Sequence, residues 1–213
     1  MRVNPLADVG EFLTQGGFMT VVFWLLIAAS IAIAAAAWLR SDANRAPVLL
    51  GDYAVRFVAG SMWWQQSLWK LPPYYTDQPK EPFGTTGLAY WMGEMTKWSA
   101  FPIQGRLVKD VVLANFYLFA PFVYAAEVFI GVSLMLGVFS RLGAFIGAAM
   151  AINLWLGLYR APSEWPWTYG FLVIIQLIYL LHPPGRSLGL DALWRARDRG
   201  DASLWSRLIR IAT

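Results

Sequence analysis

The chain has 213 residues, of which 58% are apolar, 16% aromatic and 14% charged. A soluble domain carries about 25% charged residues, so this composition excludes disorder and favours a membrane bundle over a soluble globular fold. The chain has no Cys and one His, His182. This excludes disulfide chemistry, iron–sulfur clusters and any haem or metal centre built from two histidines of one chain. The net charge of +4 indicates loop asymmetry in a membrane protein and not nucleic-acid binding.

Five segments are apolar enough, or nearly so, to cross a bilayer, which takes about 20 residues. They are residues 18–39, 48–69, 113–139, 142–159 and 168–182. The first differs from a signal peptide, because its apolar run is too long and Asp8 and Glu11 precede it. The second is the least apolar of the five, because it holds Asp52, Arg56 and two glutamines.

The short loops predict the orientation, since cytoplasmic loops carry the excess of Lys and Arg. Arg40 and Arg45 follow the first span, Arg141 follows the third, and six arginines follow the fifth. The loop between the fourth and fifth spans holds only Arg160. We therefore expect the amino terminus outside the cell and the carboxyl terminus in the cytoplasm.

Two segments outside the spans have the pattern of interfacial helices. Residues 86–100 place Leu88, Trp91, Met95 and Trp98 on one helical face, and Thr85 or Thr86 is in position to cap that helix. We expect this helix on the outer membrane surface or over the mouth of the bundle. Residues 201–213, with Asp201 as a candidate cap, predict a second interfacial helix on the cytoplasmic side.

Ionisable and amide side chains inside the spans are candidates for function, because such groups are costly in hydrocarbon. Glu127 lies near the middle of the third span on one face with Tyr117 and Tyr124, and Asn153 lies at a similar depth on the fourth. Two interpretations stay open. In the first, Arg56 forms an ion pair with Glu127 that has a structural role. In the second, the site binds a quinone or a small anion, and a proton is transferred to or from it by Glu127, Asn153 and a tyrosine. Arg141 is placed to close the cytoplasmic end of the bundle.

The outer half of the bundle concentrates aromatic rings and a cation. This pattern indicates either an ordinary interfacial belt or a pocket for a planar ring or an anion, open to the outside. In the second case, the ligand-binding residues are Trp63, Trp64, Lys70, Tyr117, Tyr124, Arg141, Trp165, Trp167 and Tyr169. No metal-binding residues are expected in this chain.

Three stretches together resemble the DoxX/DoxD family of small bacterial membrane proteins. They are RFVAGSMWWQQSLWKLP from Arg56, the E-x3-G-x2-L-x2-G-x3-R run from Glu127 to Arg141, and GRSLGLDAL at 185–193. The resemblance implies a four-helix core over residues 48–193, with a long outer loop at 70–112, in the bacterial inner membrane. The expected fold is therefore an all-α membrane protein of five spans, with residues 1–47 adding an amino-terminal span and linker and residues 194–213 forming an amphipathic cytoplasmic tail.

The family includes the membrane subunit of a thiosulfate:quinone oxidoreductase. The resemblance therefore implies quinone as the cofactor and electron transfer from a small periplasmic reductant such as thiosulfate. We expect Glu127, Arg56 and Asn153 to act at the site. Because the sequence has no evident ligands for a tightly held redox centre, quinone or a partner subunit must carry the electrons.

Two other functions stay open. The chain is a non-catalytic anchor or assembly subunit if its Ala-rich first span, 18–39, and the outer helix, 86–100, dock a partner protein. A transporter is the least favoured alternative, because the sequence has no pair of broken helices.

Overall fold

The computed structural model describes residues 4–40, 42–162, 164–196 and 211–213. These residues form nine α-helices, joined by turns and short 3₁₀ segments. The helices are α1 Pro5–Thr14, α2 Phe18–Arg40, α3 Pro47–Leu68, α4 Gly87–Trp98, α5 Pro102–Leu107, α6 Phe116–Leu136, α7 Ser140–Gly157, α8 Pro166–Leu181 and α9 Leu190–Arg195. A π turn and a 3₁₀ turn join α5 to α6, so the chain is helical from Pro102 to Leu136.

Two of the described helices are long and apolar enough to cross a membrane. They are Phe18–Arg40 and the continuous Pro102–Leu136 helix; Pro166–Leu181 is apolar but shorter. The expectation of an all-helical fold is confirmed for the described residues, and these two helices are candidate membrane spans, while the count of five spans stays a prediction.

The core consists of two antiparallel helix pairs, α3 with α6 and α7 with α8, and α6 packs against α7. Glycines allow the helices to approach closely. A Cβ on Gly60 would lie 2.7 Å from the backbone nitrogen of Met135, and one on Gly131 would lie 3.0 Å from that of Trp64. On α7, Gly143 faces Ser133 and Gly147 faces Gln176 in the same way. These contacts fix the register of the core.

The end of the bundle that carries α4 is called the outer end here, and the end that carries the α6–α7 turn and α9 the inner end, after the predicted orientation. Helix α4 covers the outer end, with Leu88, Met92 and Met95 buried against residues of α6 and the end of α7. This confirms the predicted amphipathic helix at the bundle mouth. Thr86 occupies the N-cap position of α4, as predicted, but its hydroxyl bonds to that of Thr76 at 2.9 Å and makes no cap hydrogen bond.

Helix α2 lies on the outside of the α3–α6 pair. Phe23 packs in a cluster with Trp64 and Met135, and the Ser30 hydroxyl donates a 2.6 Å hydrogen bond to the carbonyl of Met135. The opposite face of α2, with Val21, Leu25 and Ile31, is exposed. The predicted tail helix, residues 201–213, lies outside the described residues except for its last three.

Candidate functional site

Lys70 and Glu127 form a buried ion pair at the outer end of α3. Lys70 lies just after α3, and its Nζ donates a hydrogen bond to Oε1 of Glu127. The two side chains are 5% and 2% exposed. The Gly60–Gly131 crossing produces this pairing, because it sets the end of α3 beside the middle of α6. Each charge therefore has the opposite charge as its partner, which is the usual condition for burying either.

Aromatic rings surround the pair. The Nζ of Lys70 lies 4.2 Å from the centroid of the Trp69 ring, a cation–π contact. Trp69 in turn contacts Trp91 of α4, at 6.1 Å between ring centroids. The phenol of Tyr124 interacts electrostatically with Glu127. The pair is thus held between α3, α6 and the covering helix α4.

One carboxylate oxygen of Glu127 makes no hydrogen bond to the described residues. Within the described part of the chain, Oε2 of Glu127 is buried and has no hydrogen-bond partner. Buried polar atoms are nearly always satisfied, so an unsatisfied one in a charged group calls for an explanation. This oxygen can hold a proton or accept a hydrogen bond from a ligand.

A second charged cluster occupies the inner end. The Asp191 carboxylate accepts hydrogen bonds from the backbone nitrogens of Phe139, at 2.8 Å, and Ser140, at 2.9 Å, and from the Ser140 hydroxyl, at 2.7 Å. Because α7 begins at Ser140, this carboxylate caps the helix from a distant part of the chain. Burial raises the pKa of Asp191, and the bonds from Ser140 and Phe139 oppose that rise.

Arg56 belongs to this inner cluster and not to Glu127. It is fully buried, and its Nη1 donates to the carbonyls of Leu134 and Met135, the latter at 2.9 Å. These carbonyls lie in the last turn of α6, where helix carbonyls lack partners within the helix. The hypothesis of an Arg56–Glu127 ion pair was therefore wrong, because the helix register carries Arg56 towards the end of α6 and brings Lys70 to Glu127.

Other predicted residues lie away from the pair. Asn153 is exposed, and its Oδ1 accepts a 3.2 Å hydrogen bond from Gln104. Tyr117, Trp165 and Trp167 are 61%, 63% and 64% exposed. Asn153 and Tyr117 were expected to act together with Glu127, but both side chains are exposed, because other faces of α7 and α6 carry the close helix contacts.

The remaining candidates have structural contacts. Trp63 and Trp64 are buried within the helix packing. The Tyr169 hydroxyl donates to Glu164 at 2.8 Å. The Nε of Arg141 donates to the carbonyl of Leu180 at 3.1 Å, at the inner end where closure was expected.

Sequence reasoning missed the Lys70–Glu127 pairing and the capping role of Asp191. The available signals were a lysine directly after an apolar helix and an aspartate at the end of the GRSLGLD turn. Among the residues that the structure describes, no group of three or more His, Asp or Glu side chains converges on a metal-sized site.

A known family matches more than half of the chain. Its description is TQO small subunit DoxD, and the match covers residues 87–209. The matched region includes Glu127 and Asp191, while Arg56 and Lys70 lie before it. No curated protein and no solved structure matches the chain significantly.

Proposed function

We propose a function for this chain, which belongs to the DoxD family: it is the membrane subunit of a quinone-linked oxidoreductase. In this proposal it passes electrons from a small periplasmic reductant, thiosulfate or a close analogue, to the quinone pool. The family description supports the reaction class. The buried Lys70–Glu127 pair is the observation that carries the choice of site.

The pair has the chemistry that quinone reduction needs from a protein. Bound quinone supplies the electron acceptor, which takes up two electrons and two protons. Oε2 of Glu127 is a buried acceptor without a partner among the described residues, so it fits a group that exchanges a proton with a ligand. Lys70 compensates the carboxylate charge between proton transfers. Trp69 and Trp91 present flat apolar surfaces next to that cation.

In this proposal, the reductant supplies the electrons, and no side chain of this chain carries them. Joining two thiosulfate ions through a new S–S bond to give tetrathionate releases the two electrons that one quinone accepts. The sequence has no Cys and one His, so we propose direct contact between the substrates or a carrier on a partner subunit.

The membrane topology is part of the same proposal. Helices α2, α3, α6, α7 and α8 would cross the bacterial inner membrane, with the amino terminus periplasmic and the carboxyl terminus cytoplasmic. The antiparallel packing of α3 on α6 and of α7 on α8 supports this arrangement. The 18 residues of α7 give a length of about 27 Å, close to the thickness of the hydrocarbon core.

The test is thiosulfate-dependent reduction of a quinone analogue by membranes that contain the intact complex. We expect Glu127→Gln to lower turnover about 100-fold, because it removes a proton-exchanging group and keeps the side-chain shape. The matched control is Glu94→Gln, in the exposed pair with Lys97 on α4, which we expect to keep full activity. Wild-type turnover by a correctly inserted Glu127→Gln protein would overturn the proposal.

The alternative is a non-catalytic anchor subunit of a larger redox complex. The exposed apolar face of α2, including Val21, Leu25 and Ile31, favours it, since this helix lies outside the core. Residues 18–39 and the outer helix 86–100 would then dock the partner. In that case the partner alone would reduce quinone, and Glu127→Gln would leave turnover unchanged.

A further inference from the structure

A cavity with charged walls lies at the inner end of the bundle. Its volume is about 250 Å³, and it is formed by the start of α3, the last turn of α8 and the 182–187 turn. It lies at the opposite end of α3 from the Lys70–Glu127 pair. It is therefore separate from the site assigned to electron transfer.

The cavity contains one carboxylate with spare capacity. Oδ2 of Asp52 accepts a 2.9 Å hydrogen bond from the Ser187 hydroxyl. A carboxylate accepts about four hydrogen bonds, so most of the capacity of Asp52, which is exposed to the cavity, stays available.

The same cavity also contains hydrogen-bond donors and positive charge. The side chain of Tyr179 is 7% exposed, and its hydroxyl has no partner among the described residues. Arg186 donates from Nε and Nη2 to the carbonyl of Thr213, at 3.2 and 2.9 Å. The N–H groups on the other edge of its guanidinium stay available to a ligand. His182 completes this wall.

The apolar part of the cavity continues onto the outside of α8. Ile178 and Leu181 line the cavity and are 50% and 72% exposed. Ile174 and Leu177 extend the same exposed apolar face along the helix. Polar groups at the end of such a helix stand at the level of lipid headgroups.

We infer that this cavity binds the headgroup of a zwitterionic phospholipid with a primary ammonium group, of the phosphatidylethanolamine type. The ammonium group donates to Asp52. The phosphate oxygens accept from Tyr179, Arg186 and His182, and the acyl chains lie along Ile178 and Leu181. The inference is independent of the proposed electron transfer.

Charge complementarity selects this lipid over the alternatives. An anionic headgroup of the phosphatidylglycerol type offers its phosphate to the same donors, but it brings hydroxyl groups to Asp52 in place of a cation and leaves that carboxylate charge without a counter-charge. A choline headgroup has the same net charge as ethanolamine, but its quaternary nitrogen has no N–H to donate. A quinone ring can bond to Tyr179, but it brings no cation to the Asp52 carboxylate and no anion to the free N–H groups of Arg186.

The test uses the purified full chain, stripped of lipid in detergent and titrated with dioleoyl phosphatidylethanolamine, phosphatidylcholine or phosphatidylglycerol. Native mass spectrometry counts the lipids retained. We expect phosphatidylethanolamine to bind at least about tenfold more tightly than the other two, and Asp52→Asn to remove its advantage over phosphatidylcholine. Asp110→Asn, which changes an exposed carboxylate near the outer end, is the matched control and keeps the preference.

A second variant tests the proposed contact with the phosphate group. Tyr179→Phe removes only a hydroxyl without a described partner, so the protein folds, and we expect several-fold weaker binding of phosphatidylethanolamine. Equal retention of the three lipids by the wild type would overturn the inference. An unchanged preference in Asp52→Asn, or displacement of the bound lipid by a quinone analogue, would also overturn it.

Discussion

The two ends of the bundle bury charge in different ways. At the outer end, the side chains of Lys70 and Glu127 neutralise each other, and one carboxylate oxygen of Glu127 has no partner among the described residues. At the inner end, Arg56 and Asp191 bond mainly to backbone groups at helix ends. The inner charges therefore act as helix caps, although Nε and Nη2 of Arg56 have no partner among the described residues. The outer pair caps none of the described helices, and its unpartnered atom is a carboxylate oxygen. A carboxylate can exchange a proton, whereas a guanidinium stays protonated, and this difference is why we assign function to the outer pair.

The inner charges match the polarity of the helices that they cap. Arg56 meets the carbonyl end of α6, where the helix dipole is negative, and Asp191 meets the amino end of α7, where it is positive. Glycine makes room for both contacts. A Cβ on Gly137 would lie 2.8 Å from Nη1 of Arg56, and one on Gly185 would lie 2.3 Å from Oδ2 of Asp191.

The largest expected effect comes from breaking the outer pair on one side. Lys70→Met leaves the Glu127 charge buried without its partner, so we expect a loss of about 3–5 kcal/mol in the free energy of unfolding. Unfolding of the detergent-solubilised protein by SDS titration measures it. The double variant Lys70→Met/Glu127→Met removes both charges, and we expect it to recover most of this loss while staying inactive. A double variant as unstable as the single one would contradict this account of the pair.

A smaller effect is expected at the inner end. Asp191→Ala leaves the nitrogens of Phe139 and Ser140 without their acceptor at the start of α7. We expect a loss of about 2 kcal/mol in the free energy of unfolding. Hydrogen exchange at these two amides should accelerate, while exchange in the middle of α7 stays slow. Quinone reduction should continue in the folded fraction. If Asp191→Ala abolished turnover without destabilising the protein, the division of roles between the two ends would be wrong.

The smallest effect is expected from the Lys97–Glu94 ion pair on α4, whose lysine is exposed to solvent. The Nζ of Lys97 donates to Glu94 at 2.7 Å, and the Lys97 side chain is 62% exposed. The hydrogen bond from Lys97 lowers the pKa of Glu94. We expect Lys97→Met to raise the pKa of Glu94 towards its ordinary value, measured by NMR titration, and to leave the unfolding curve unchanged, since water screens such pairs. If Lys97→Met destabilised the protein nearly as much as Lys70→Met, burial would not explain the difference in stability between the two ion pairs.

The sequence predicted the elements better than the contacts between them. Hydropathy located the two helices that are candidate membrane spans, and the spacing of Leu88 and Met95 predicted the buried face of α4. Glu127 was singled out because a carboxylate in an apolar helix is unusual. Each of these inferences depends on one segment at a time.

The partners of these residues depend on helix register and rotation, which composition does not specify. Helix α7 has apolar residues on most of its circumference, so periodicity could not show that Asn153 faces outward. Counting residues from the membrane surface did not place Lys70 beside Glu127, because the Gly60–Gly131 contact sets the offset between α3 and α6. That offset can be read only once the two helices are packed.

The crossing of α3 and α6 has a consequence for biosynthesis. Helix α3 carries Arg56, whose carbonyl acceptors, at Leu134 and Met135, belong to a helix that leaves the ribosome more than 70 residues later. A polar segment of this kind inserts poorly on its own, and chain elongation proceeds at about 5–20 residues per second. In the proposed five-span topology, α3 therefore waits for several seconds at the translocon or at the membrane surface until α6 arrives to accept it. Final integration of the amino-terminal half depends on residues that are synthesised after it.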